Sequence, residues 1–141
     1  MKKQNSDHYF NENGLSVFNI YYKDKKFTGQ AQCAKEDEDM KSERTGLTIA
    51  EAKAAIKLLI FIRDYEIKPQ LNILNHLYGN MTTSKYFNSN SYEARMIRSQ
   101  IRAIEKELAT INNDLADERK FLKDYIEGKE KMYQKLRAKN K

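Results

Sequence analysis

The chain has 141 residues, a net charge of +6, 33% charged and 40% apolar residues, one cysteine and no tryptophan. A single cysteine excludes an intramolecular disulfide and fits a reducing cytosol. The longest apolar run, residues 58–62, is far too short to span a bilayer, and the polar opening Met1, Lys2, Lys3 has no apolar stretch of a signal peptide behind it; a cytoplasmic protein with no membrane partner is expected.

Residues 1–13 are polar and are expected to be loosely ordered. Residues 15–22 alternate as a strand, with Phe18, Ile20 and Tyr22 on one face. A polar turn follows at residues 23–26. Residues 27–34 form the return strand, with Phe27, Gly29, Ala31 and Cys33 on one face. The small side chains there predict a closely packed neighbour. Two strands are marginal alone, so they must pack on helices or across a subunit boundary. Residues 35–46 form a charged loop. Its two readings are a cation site and a solvated linker, and it lacks the spaced oxygen ligands and central glycine of a calcium loop.

Thr48 and Glu51 then form a capping box, with Leu47 and Ala52 as its staple, so a helix is predicted from Thr48. Its apolar face runs through Ile56, Leu59, Ile60 and Ile67 to Leu71, Leu74 and Tyr78. Pro69 should kink or divide the helix near residues 65–66, and Gly79 should end it at a left-handed cap. After a polar link, Asn90 or Ser91 caps a helix over residues 91–136. Ile97, Ile101, Ile104, Leu108, Ile111, Leu115, Glu118, Leu122, Tyr125, Lys129, Met132 and Leu136 follow one another in steps of four and three. Ten of these twelve are apolar, which is a seam for a partner helix. The short link predicts an antiparallel partner, and the overshoot of the second helix predicts a further chain.

The expected fold is therefore α+β: a short antiparallel β hairpin with a charged loop over residues 1–47, then a long, coiled-coil-like antiparallel helical hairpin over residues 48–141. The chain is expected to form a homo-oligomer of elongated subunits.

Catalysis has little support. His8 and His76 stand apart from any nucleophile, no Cys/His cluster has zinc spacing, and the isolated glycines make no phosphate loop. No catalytic residue, metal or cofactor is assigned. The stronger signal is Arg95, Arg98 and Arg102 on one helix face, with Arg63 on the preceding helix. Arg95 and Arg98 lie in the opening turns of the long helix, where the positive helix end favours anions, and guanidinium grips phosphate in a bidentate fork. Tyr86, Phe87, Asn88 and Asn90 stand just before it, offering a stacking face and amides that read a purine edge. The alternative for these arginines is structural ion pairing. Residues 81–141 hold fourteen basic and nine acidic groups, an excess that suits an anionic partner. A cyclic or short nucleotide fits this set better than duplex DNA, since no recognition-helix motif or long basic stripe is present.

Phe27, Thr28, Gly29, Ala31 and Cys33, followed by Ile49, Ala50 and Glu51, resemble a pattern in small phage and prophage proteins of Gram-positive bacteria. In those proteins a strand ends in such a run, an acidic link follows and a helix opens with Ile-Ala-Glu. Within that group the layout resembles the first type of Thoeris anti-defence protein. The resemblance implies a short β region with long helices, oligomeric assembly, and sequestration of a cyclic ADP-ribose-type immune signal, in some members cyclic oligonucleotides. It carries no binding residue over to this chain. The rival expectations are a coiled-coil inhibitor of a host defence nuclease and a nucleic-acid binder using its basic stalk, the latter marked by steep salt dependence.

Overall fold

A computed structural model describes residues 5–32 and 43–139. It is α+β, a three-stranded antiparallel sheet in the order β1-β2-β3 followed by helices. The elements are β1 (Asn5–Phe10), β2 (Leu15–Tyr22), β3 (Lys25–Gln32), α1 (Glu43–Phe61), a π-helical turn (Ile62–Ile67), α2 (Lys68–Thr82) and α3 (Tyr92–Lys139). Contacts divide the chain into two units: Met1–Leu58 with Leu115–Lys141, and Leu59–Asp114. The expectations for Cys33 and for residues 35–42 lie outside the described residues.

In the first unit the hairpin stands as its alternation predicts, with Phe18 opposite Gly29 and Ile20 opposite Phe27. Lys23 takes the positive φ (54°) of the two-residue turn. The third strand, β1, corrects the expectation of a loose N-terminal segment. Its composition is polar because its side chains satisfy one another on an exposed face. Asp7 accepts from Asn19 Nδ2 at 2.7 Å and from Tyr21 Oη at 2.8 Å, and Thr28 Oγ1 donates to Asn19 Oδ1 at 2.6 Å. These bonds hold the Asp7 carboxyl below its ordinary pKa, Asn19 contributing most. On the other face His8 stacks on Phe18. The β1–β2 turn is built on Asn11, whose Oδ1 accepts from the backbone of Asn13 and Leu15, with Gly14 at φ 83°.

The close neighbour of Gly29 is α1. A Cβ at Gly29 would collide with the Ala50 carbonyl and approach the Ala54 backbone nitrogen to 2.6 Å. Ala50, Ala54 and Leu58 are buried one turn apart. Lys53 Nζ donates to the Gln30 carbonyl at 3.0 Å and Lys57 Nζ to the Thr28 carbonyl at 2.6 Å. Helix α1 starts by Glu43, five residues before the expected Thr48. Thr48 is not a cap: its hydroxyl bonds back to the Arg44 carbonyl at 2.7 Å, as mid-helix threonines do. The physical reason is Gly46, which is helical and packs against the buried Ser16, where a Cβ would strike the hydroxyl.

In the second unit Pro69 divides the helix as expected. A proline has no N–H to give the carbonyl four residues back, and the backbone widens into the π turn, with the Lys68 N–H reaching the Arg63 carbonyl. Gly79 corrects a second boundary: α2 continues to Thr82, and Gly79 is helical rather than left-handed. The helix ends instead where the Thr82 and Thr83 hydroxyls bond the carbonyls of Gly79 and Asn80. Ser91 opens α3, its Oγ accepting from the Ala94 N–H at 3.2 Å. Helix α3 spans 48 residues, about 70 Å at 1.5 Å per residue, and runs through Gly128 without a break. Its covered positions are the predicted seam: Ile101, Ile111 and Leu115 are buried, and Glu118, Leu122, Tyr125 and Lys129 are half-buried, whereas Met132 and Leu136 are exposed.

Candidate functional site

The link between α2 and α3 and the first turns of α3 carry most of the candidate ligand residues. The link is built from short polar bonds. The Phe87 N–H reaches the Ser84 carbonyl, the Tyr86 N–H reaches Ser84 Oγ, and Asn88 Oδ1 accepts from the Asn90 N–H at 2.9 Å. Asn88 and Asn90 therefore shape an Asx turn that feeds the Ser91 cap. Both are exposed, and their remaining polar atoms face outward.

Arg98 is committed inward. Its Nη1 donates to Tyr78 Oη at 3.1 Å and its Nη2 to the Ser89 carbonyl at 2.6 Å. Phe87 meets the Tyr78 ring edge-on at 6.1 Å, and the guanidinium carbon lies 6.0 Å from that ring's centroid. Tyr78, Phe87, Ser89 and Arg98 thus form a clasp that ties the link to α2 and α3. The structural role weighed for the arginines holds for Arg98. Residue spacing could place Arg98 near Phe87 but could not identify Tyr78 and the Ser89 carbonyl as its partners. The only available signal was that Tyr78 lies on the apolar face of its helix.

Arg63 is also engaged. Its Nε and Nη2 donate to the Asp64 carboxylate at 2.9 and 3.3 Å, and Lys68 Nζ lies 3.4 Å from the same carboxylate. Asp64 is held below the ordinary carboxylate range chiefly by the Arg63 bond, then by Lys68. Arg63 does not join Arg95, Arg98 and Arg102 through any described bond.

Three candidates remain outward. Tyr86 is 83% exposed, with Lys85 Nζ 5.1 Å from its ring centroid. Arg95 and Arg102 are exposed, and no side-chain partner meets either among the described residues. Seven residues separate them, so they stand on one face about 10 Å apart along the axis. Around them the backbone N–H groups of the α3 start are already used by Ser91.

A groove of about 390 Å³ lies along the same unit, lined by Gln70, Ile73 and Leu74 of α2 and Gln100, Ala103 and Ile104 of α3. Among the described residues no cluster of three or more His, Cys, Asp or Glu is placed to hold a metal ion, and no helix is long and apolar enough to cross a membrane. Comparison with known proteins finds no matching family model, curated protein or solved structure.

Proposed function

We propose that this chain is a non-enzymatic sponge that binds and sequesters a nucleotide immune signal of the cyclic ADP-ribose type, cyclic oligonucleotides included. In this reading it is a phage anti-defence protein of the first Thoeris type, acting in the cytoplasm of an infected bacterium. The carrying observation is the outward, unpartnered pair Arg95 and Arg102 beside the exposed Tyr86 ring. Two guanidinium groups on one helix face suit a ligand with two phosphates, and an exposed aromatic face suits its base. The working form is a homo-oligomer in which α2 and α3 act as an antiparallel, coiled-coil-like hairpin, and a second copy closes the pocket over these side chains. The ligand set is accordingly Arg95, Arg102 and Tyr86, with Asn88 and Asn90 at its margin. Phosphates lie on the arginines and no bond is broken.

Calorimetry with cyclic ADP-ribose isomers and cyclic oligonucleotides tests this. Each charge-assisted hydrogen bond is worth about 1.5–3 kcal/mol. Arg95→Ala with Arg102→Ala should therefore weaken binding by about two to four decades while leaving the fold intact. Failure of the folded wild type to bind any of these ligands sinks the sponge reading. One observation favours the rival, a coiled-coil protein-interaction inhibitor of a host defence nuclease. Arg98, central in the predicted phosphate set, is spent on Tyr78 and Ser89.

A further inference from the structure

We infer that the outer face of α2, together with the groove beside it, is the surface through which two copies of this chain pair. The inference rests on the homo-oligomer in the proposed function and names its contact. Residues 69–84 contain no Asp, Glu, Lys or Arg in sixteen positions, in a chain that is 33% charged. This stretch is not buried. Helix α2 has no buried residue, Ile73 is 67% exposed and Leu77 is 50% exposed. Ile73 and Leu77 are one turn apart, so they form one ridge. The exposed amides of Asn72, Asn75 and Asn80 flank it. Next to the ridge the groove offers Leu74, Ala103 and Ile104, and its lining contains no charged side chain. Apolar anchors, a rim of amides and a lack of charge are what the centre of a protein interface shows.

Charge decides the occupant. In a two-fold contact the same patch serves both partners, and residues near the axis face their own copies. Any charge there would meet its like, so a self-contact requires the uncharged strip that α2 presents. A partner of strong opposite charge would call for a charged face, and a nucleotide would need cations that the groove lacks. In the pairing, the Ile73 and Leu77 ridge of one copy enters the groove of the other, reciprocally.

Sedimentation of the full chain at micromolar concentration tests the contact. The wild type should form an assembly. Ile73→Glu with Leu77→Glu should sediment at half that mass or less with unchanged helicity, because both side chains are exposed in the single chain. Mixing Leu77→Glu with Leu77→Lys should restore the assembly that each alone has lost, a rescue that misfolding would not give. An assembled wild type whose mass the double variant leaves unchanged overturns this contact and leaves the oligomer standing. Loss of assembly without rescue on mixing overturns the two-fold form. A monomeric wild type overturns both the contact and the oligomer, and leaves the α2 face to a different protein; ligand calorimetry judges the sponge reading separately.

Discussion

Gly29 shows how one missing side chain sets the packing of α1 on the sheet. Its Cα lies against the α1 backbone at Ala50 and Ala54, and neither neighbour is a side-chain end that swings aside. Gly29→Ala should cost about 1–3 kcal/mol or more, since the helix must shift to relieve the overlap. Thermal denaturation should show a fall of several degrees. The Gly29 and Ala31 pattern was readable in the sequence, because small residues on a strand face announce a close approach. Gly46 was not readable. A glycine beside charged residues looks like a loop, and only the facing Ser16 explains its place inside a helix. Glu118 is a different case. It interrupts an apolar seam, and burial, then the nearby Glu51 charge, raise its pKa. A carboxyl whose folded pKa is raised disfavours the folded state increasingly as pH climbs from its unfolded value through the folded one. Glu118→Gln should therefore raise the melting temperature at neutral pH, and its advantage should vanish below the ordinary glutamate range. Melting curves across pH test the sign; an advantage that persists in acid would place its origin in packing.

Among the elements, those with a strong period were legible. The β2 and β3 hairpin, the break at Pro69 and the long α3 with its seam stand where alternation, proline chemistry and the four-three spacing put them. Boundaries failed where short polar side chains chose between roles. Thr48 reads as a cap but bonds backward within a turn, and Gly79 reads as a stop but leaves the stop to Thr82 and Thr83. Strand β1 was invisible because its apolar content is low and its pairing is decided by Asp7, Asn19 and Tyr21 across the sheet. The candidate site was half legible for the same reason. Helix spacing grouped the arginines, but it could not tell a guanidinium aimed at a ligand from one aimed at a carbonyl. Arg98→Ala should cost about 1–3 kcal/mol through the two lost bonds, and amide exchange in the link should quicken. Arg98→Lys should not restore it, because one ammonium cannot reproduce the fork. Arg95→Ala, with no partner to lose, should stay within about 0.5 kcal/mol. Equal losses for Arg95 and Arg98 would contradict the clasp.

For the molecule as a whole, the sheet edge at β3 has a consequence for how the chain is made. The carbonyls of Thr28 and Gln30 point away from β2, and open strand edges of this kind recruit other chains. Here the ammonium groups of Lys53 and Lys57 occupy them. Lys53→Met with Lys57→Met should keep the apolar stems and lose the guard, so light scattering on refolding should rise more than the melting temperature falls. Equal solubility of variant and wild type would show that the edge needs no guard. During synthesis the guard arrives late. Lys57 is roughly 25 residues beyond the end of β3, a delay of a few seconds at about 5–20 residues per second. For that interval a finished sheet waits with an unprotected edge. The yield of this protein at the ribosome should then depend on the speed of elongation through α1, and slow codons between residues 33 and 57 should cost soluble protein where the same codons in α3 do not.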